Sequence, residues 1–170
     1  MFVVKQSCRI GVLINKERIM PIKTGDNCPT FELNDQEGRL RESKEFFNKK
    51  ALVLYFYPKD DSPGCTAQAC SFRDAYEDLL ESGAELVGVS GDSLEQHKKF
   101  AKKHNLPFTL LADTNNKLRK QFGVPTSLFG LIPGRVTYVI DSEGTVRGVF
   151  NSQLDVKGHV KKALEIIEKL

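Results

Sequence analysis

Residues that anchor special chemistries are sparse: the 170-residue chain has four cysteines, three histidines and a formal net charge of only +3. Four cysteines in a chain of this size do not make a disulfide-stapled scaffold. No uninterrupted apolar run approaches the roughly 20 residues of a membrane helix, so a soluble protein is expected and a membrane partner is not. The basic excess is spread along the chain rather than stacked with aromatics, which argues against a nucleic-acid partner. Its densest stretch, Lys98, Lys99, Lys102 and Lys103, reads as the solvated face of a helix. There is no repeat, low-complexity tract or linker, and 40% hydrophobic residues over this length support one domain with a full core.

The first nineteen residues carry no legible targeting signal. The apolar stretch Ile10 to Ile14 is too short for a secretory core, no small-residue cleavage site follows it, and the segment lacks the Ser- and Arg-rich character of a transit peptide. Met20-Pro21-Ile22-Lys23 reads as a natural opening. Residues 1–19 are therefore expected to be an extension of uncertain role and residues 20–170 the folded domain, with the compartment, cytoplasm or plastid, left open.

Along the domain, Phe31 to Leu33 and Leu40 flank the turn Asp35-Gln36-Glu37-Gly38 and suggest a hairpin. Ala51 to Phe56 reads as a buried strand. A helix is expected from about Cys65 to Leu80, with Ala69, Phe72, Tyr76, Leu79 and Leu80 at helical spacing and Gly83 placed to end it. Glu85 to Ser90 reads as a strand, followed by a helix opened by the capping box Ser93 and Gln96 and ended before Pro107. Phe108 to Ala112 is expected as a strand, and Asp113 or Thr114 as the cap of a short helix carrying Leu118 and Phe122. Val136 to Ile140 and Val146 to Phe150 suggest a second hairpin, and Val156, Val160, Ala163, Leu164 and Ile167 an amphipathic last helix. The order predicts an α/β protein with a mixed central sheet flanked by helices.

The most informative stretch follows the Ala51 to Phe56 strand: Tyr57-Pro58-Lys59-Asp60-Asp61-Ser62-Pro63-Gly64-Cys65-Thr66-Ala67-Gln68-Ala69-Cys70. Cys65 falls at a strand-to-helix junction, where unpaired N–H groups and a positive dipole end favour a thiolate. Ionisation alone achieves little, because nucleophilicity falls as a thiol becomes more acidic, so a thiol enzyme also needs donors that polarise its substrate. Ser62 offers a hydroxyl, the turn offers backbone N–H groups, and a fixed cation would complete the set. Cys70 is the expected redox partner, since a sulfenic acid condenses with a nearby thiol. In a regular helix the two Cα atoms would lie roughly 8 to 9 Å apart, beyond the roughly 7 Å reach of a disulfide. The pairing thus predicts that the helix unwinds during the cycle.

Cys8 and Cys28 have no partners at metal-ligand spacing and read as incidental thiols. C-x4-C without a second pair or a nearby His is not a zinc signature, so a zinc site is not expected. His97, His104 and His159 sit in charged helical surroundings and are expected at the surface. A thiol-disulfide oxidoreductase would carry C-x-x-C in place of C-x4-C. A redox sensor would need only one oxidation where an enzyme must cycle.

Pro58-x-x-x-Ser62-x-x-Cys65 resembles the peroxiredoxin active-site signature, with Ser where many members have Thr. Pro63-Gly64-Cys65-Thr66 with Cys70 is similar to the Q, or bacterioferritin comigratory, subgroup. Tyr55-Phe56-Tyr57-Pro58, Val89-Ser90-Gly91-Asp92, Leu106-Pro107-Phe108-Thr109-Leu110-Leu111 and Pro133 to Asp141 look most like plant plastid members. The resemblance spans about Met20 to Leu170. It implies a thioredoxin-like fold and reduction of hydrogen peroxide and alkyl hydroperoxides by a peroxidatic Cys65. It also implies that Ser62 and Arg135 hold the peroxide, that Pro58 shields the sulfur, and that Cys70 resolves the sulfenic acid into an intramolecular disulfide reduced by thioredoxin. A monomer with no metal or organic cofactor is implied as well. Two departures stand out: no long transit peptide precedes Met20, and Cys28 occupies a place that is usually not cysteine, where a side disulfide stays open.

Overall fold

The computed structural model describes residues 20–46, 50–127 and 130–170; the expected extension 1–19, with Cys8, lies outside them. The chain enters with a small hairpin, β1 (Glu32–Asn34) and β2 (Leu40–Glu42), paired antiparallel around the predicted turn. A single 3-10 turn, Ser43–Glu45, leads toward β3 (Ala51–Phe56). Next come α1 (Pro63–Asp74), α2 (Tyr76–Glu81), β4 (Ala84–Ser90), α3 (Leu94–His104), β5 (Thr109–Ala112) and α4 (Lys117–Gln121). A two-residue ladder, β6 (Thr126–Ser127) with β7 (Ile132–Pro133), crosses the Pro- and Gly-rich loop. β8 (Val136–Ile140), β9 (Val146–Asn151) and α5 (Val156–Ile167) complete the chain.

The central sheet has the order β5-β4-β3-β8-β9. β3 runs parallel to β4, and β4 to β5, whereas β8 and β9 are antiparallel, so the predicted mixed sheet is present. Alternation along β3 explains its central place. Val53 and Tyr55, with Tyr57 just beyond the strand, point into one apolar cluster with Phe72, Leu79, Phe100 and Ile167, on the side of α1, α3 and α5. Leu52, Leu54 and Phe56 point into a second cluster with Phe31, Leu118, Phe122 and Tyr138, on the side of α4 and the first hairpin. Burial of each such side chain contributes about 1.5–3 kcal/mol, and a strand apolar on both faces has no solvent-facing position to occupy.

Two expectations need correction. The helix expected over Cys65 to Leu80 is two helices, interrupted at Ala75 (φ −101°, ψ 9°), and it begins earlier, because Pro63 suits the first helical turn, where its missing N–H is no loss. His97 and His159 are fully buried rather than exposed. Burial is tolerated because each ring finds partners for both nitrogens: Asp60 and the Leu111 carbonyl for His97, Thr137 and the Ser152 carbonyl for His159. His104 is mostly covered and faces Asp61 at 3.3 Å. The lysines of α3 are exposed as expected, with Lys98 on Glu37, Lys99 on Glu95 and Lys103 on Asp61.

Candidate active site

Sheet register builds the site. Because β8 is antiparallel to β3 and Val136 pairs with Phe56, the start of β8 lies where β3 ends. Arg135, directly before β8, is therefore delivered beside the chain leaving β3. That chain turns through Pro58 to Ser62, with Asp61 in the left-handed region at φ 56°, and enters α1 with Cys65 as its third residue. Residues 70 apart in sequence thus meet: Arg135 Nη2 donates to Cys65 Sγ at 3.4 Å. Gly64 permits the approach, since a Cβ there would sit 3.1 Å from the same Nη2.

Both partners are buried, Cys65 to 1% and Arg135 to 4% exposure, so their attraction is screened little by solvent. Arg135 Nη1 donates to Gln68 Oε1 at 2.5 Å and to the Gly64 carbonyl at 3.3 Å. Arg135 Nε, Gln68 Nε2 and the Tyr55 hydroxyl are buried donors without a partner among the described residues. Burial first, then the charges of Asp60 and Cys65, push the Tyr55 phenol well above its ordinary range. A polar occupant beside the sulfur would satisfy such groups.

Ser62 is the cap residue of α1, but its hydroxyl turns back and donates to the Lys59 carbonyl at 3.0 Å instead of capping the helix. Its oxygen still has lone pairs with which to accept a hydrogen bond. Pro58 is half-buried at the exit of β3. Cys70 is half-buried on α1, and Cys28, Cys65 and Cys70 are all free thiols. Burial pushes the Cys28 thiol up to about 12, and its S–H donates to the Pro29 carbonyl at 3.4 Å, so it remains a protonated bystander.

A second buried arginine, which sequence reasoning missed, braces the site from behind. Arg119 Nη2 donates to the Tyr57 carbonyl at 2.7 Å and Nη1 to the Gly134 carbonyl at 2.9 Å, while its guanidinium lies 5.6 Å over the Phe56 ring. Burial draws its basicity down, and Asp113 and then Cys65 oppose that. Asp113 aims this arginine by accepting from the Leu118 and Arg119 amides at the start of α4. On the opposite side Asp60 fixes the turn: it accepts from the Tyr57 hydroxyl at 2.7 Å, lies 2.7 Å from His97 Nδ1, and donates its amide to Asp92. Nothing local in the sequence marks Arg119, whereas Gln68, three residues beyond Cys65 on a helix, was findable by its spacing.

Among the described residues no cluster of His, Cys, Asp or Glu could hold a metal ion, and no helix is long and apolar enough to cross a membrane. The arrangement suits a buried sulfur nucleophile attacking a small polar substrate whose developing charge is met by Arg135 and amide donors.

Known proteins resemble this chain in sequence and in fold. The family model described as the AhpC/TSA family matches residues 24–149. The chain is 52% identical over 149 residues to a chloroplastic peroxiredoxin Q of Sedum lineare, covering 88% of this chain and 80% of that protein. It is 50% identical over 166 residues to the corresponding protein of Triticum aestivum, covering 98% and 74%. Among solved structures, peroxidoxin BcpB of Mycobacterium tuberculosis superposes with a TM-score of 0.82 at 36% identity, covering 88% of this chain and 98% of that one. Peroxiredoxin Q of Xanthomonas campestris gives 0.75 at 28% identity, covering 82% and 90%. The fold is accordingly thioredoxin-like, and peroxides with thioredoxin-type reductants are the reactants of such proteins. A buried thiol at a helix N-terminus, a guanidinium on its sulfur, and a family match over most of the chain lead to one conclusion: this chain belongs to the AhpC/TSA family and is a thiol-dependent peroxidase.

Proposed function

We propose that Cys65 is the peroxidatic cysteine and Cys70 the resolving cysteine of a monomeric, thioredoxin-dependent peroxidase for hydrogen peroxide and alkyl hydroperoxides. The observation that carries the reading is the 3.4 Å contact between Arg135 Nη2 and Cys65 Sγ at the start of α1. The Cys65 thiolate attacks one peroxide oxygen and forms an S–O bond as the O–O bond breaks. The other oxygen takes a proton and leaves as water or an alcohol. Arg135 meets the negative charge as it moves from sulfur to the departing oxygen, Ser62 accepts from the peroxide O–H, and Pro58 limits access of bulk water.

Cys70 then attacks the Cys65 sulfenic sulfur. An S–S bond forms, the S–O bond breaks, and the oxygen leaves as water. The two cysteines lie on one regular helix, where a spacing of five holds the Cα atoms roughly 8 to 9 Å apart, so the start of α1 must unwind for this bond to form. Thioredoxin reduces the disulfide and restores both thiols. Plastid or cytoplasm remains the proposed compartment, the former in line with the chloroplastic relatives.

The test is peroxide consumption by the reduced protein with thioredoxin and its reductase, beside Cys65→Ser and Cys70→Ser. Multiple turnovers, abolished in Cys65→Ser and stalled after one oxidation in Cys70→Ser, are expected. Sustained thioredoxin-dependent turnover by Cys70→Ser would remove Cys70 from the resolving role, and a single oxidation without turnover by the unmodified protein would favour a sensor.

A further inference from the structure

His97 and Asp60 are buried ionisable groups to which the peroxide chemistry assigns no step. His97 lies on α3, and Asp60 lies in the turn that leads from β3 into α1 and Cys65. Their hydrogen bonds fix the proton count. His97 Nε2 is 3.2 Å from the Leu111 carbonyl oxygen, and Nδ1 is 2.7 Å from Asp60 Oδ2. A carbonyl and a carboxylate only accept, so both ring nitrogens donate and the ring carries two protons and a positive charge. His159 is the contrast, since the Thr137 hydroxyl at its Nδ1 can donate to a neutral ring.

The other Asp60 oxygen accepts from the Tyr57 hydroxyl at 2.7 Å. The Asp60 amide donates to Asp92 Oδ2, which also accepts from the Ser90 hydroxyl. Within this network of Tyr57, Asp60, Ser90, Asp92 and His97, the imidazole is the group that can carry positive charge. The network borders the sulfur. Tyr55, Tyr57 and Cys65 belong to one buried apolar cluster, where the Tyr55 and Tyr57 rings stack 5.4 Å apart. The Tyr55 phenol feels the charges of both Asp60 and Cys65, and solvent screens buried charges little. A bare carboxylate in this place would oppose ionisation of the Cys65 thiol, as like charges do. It would work against Arg135, which donates to the sulfur, and against the charge of Arg119 on α4.

We propose that His97 is a positioning residue of the Cys65 site that acts through Asp60: its doubly protonated ring holds the carboxylate as a neutral pair. The turn before Cys65 thereby keeps Asp60 as its anchor to α3 without setting a negative charge against the thiolate. The inference rests on the proposed peroxidatic role of Cys65.

The experiment compares the full chain with His97→Gln, the double variant Asp60→Asn/His97→Gln, and Cys65→Ser. Two rates are followed by mass spectrometry of the Cys65 peptide between pH 5 and 9: alkylation by iodoacetamide and single-turnover oxidation by hydrogen peroxide. His97→Gln, which leaves the carboxylate bare, is expected to move the midpoint of alkylation upward and to slow oxidation about tenfold below that midpoint. The double variant should recover most of both losses, because the opposing charge is gone. An unmoved midpoint in His97→Gln, or one that stays displaced in the double variant, overturns the role, since a merely loosened turn is not repaired by losing a second partner. Nitrogen-15 spectra of the unmodified reduced protein add a measurement that needs no variant to fold: both His97 ring nitrogens should carry protons, and a single ring proton overturns the charged pair. Peroxide consumption retained by Cys65→Ser would instead overturn the peroxidatic assignment on which the inference stands.

Discussion

A nucleophilic sulfur is best served by a cation that cannot release its own proton, and a guanidinium is such a cation. Arg135 has both of its terminal nitrogens committed, one to Cys65 and one to Gln68 and the Gly64 carbonyl, so its fork is aimed before any substrate arrives. Removing one preorganised donor from a site of this kind costs a hundredfold or more in well-studied cases. Arg135→Ala should therefore lower the second-order rate of Cys65 oxidation by more than about tenfold in single-turnover measurements with hydrogen peroxide. An unchanged rate would remove Arg135 from the site. Arg135 was identifiable only through resemblance to a family pattern, because by itself it reads as a surface charge after a loop. Arg119 had no such aid: a lone arginine in a five-residue helix looks solvent-exposed, and its burial follows from two carbonyls on distant segments that accept from its guanidinium. His97 and His159 misled for the same reason, since their charged sequence neighbours say nothing about the Asp60 and Thr137 partners that receive them across the fold.

At the scale of elements, local signals were good guides wherever one element decides its own shape. The β3 strand has the bounds expected from its apolar run, and Ser93 with Gln96 forms the expected capping box. Gly83 and Gly123 adopt the positive φ that ends a helix. The interruption at Ala75 was not legible, since alanine is the best helix former and the apolar spacing runs through it. That break leaves α1 as a twelve-residue helix with the two cysteines proposed to pair, Cys65 and Cys70, in its first eight positions. Formation of the Cys65–Cys70 disulfide should therefore cost this helix its opening turns. Hydrogen exchange of the oxidised protein is expected to show lost amide protection from about residue 65 to 72, with β3 and β4 unchanged. A disulfide formed with full protection over those residues would refute the unwinding.

For the molecule as a whole, α5 is attached by a buried imidazole. His159 Nε2 donates to the Ser152 carbonyl at 2.9 Å, which leaves Nδ1 to accept from the Thr137 hydroxyl at 2.8 Å, a pairing that suits the neutral ring. Burial, aided by the Arg135 charge, lowers its pKa, while the Ser152 carbonyl and Asp155 oppose the shift. A folded-state pKa below the unfolded value near 6.5 means that the unfolded chain takes up a proton first. Stability associated with this group is therefore intact above about pH 6.5 and declines as pH falls toward the folded-state pKa. The denaturant midpoint should drop between pH 7.5 and 5.5, and His159→Gln should make that drop smaller; identical drops in the two proteins would exclude His159 as the cause. The brace behind the sulfur has a different consequence. Because Arg119 holds the Tyr57 and Gly134 carbonyls on a single guanidinium, it spaces the two backbone jaws that carry Cys65 and Arg135. The spacing between those two backbone segments is therefore held from α4, by a side chain bonded to backbone carbonyls. Efforts to reshape the surroundings of the sulfur would start at Arg119, leaving Cys65 and Arg135 themselves untouched.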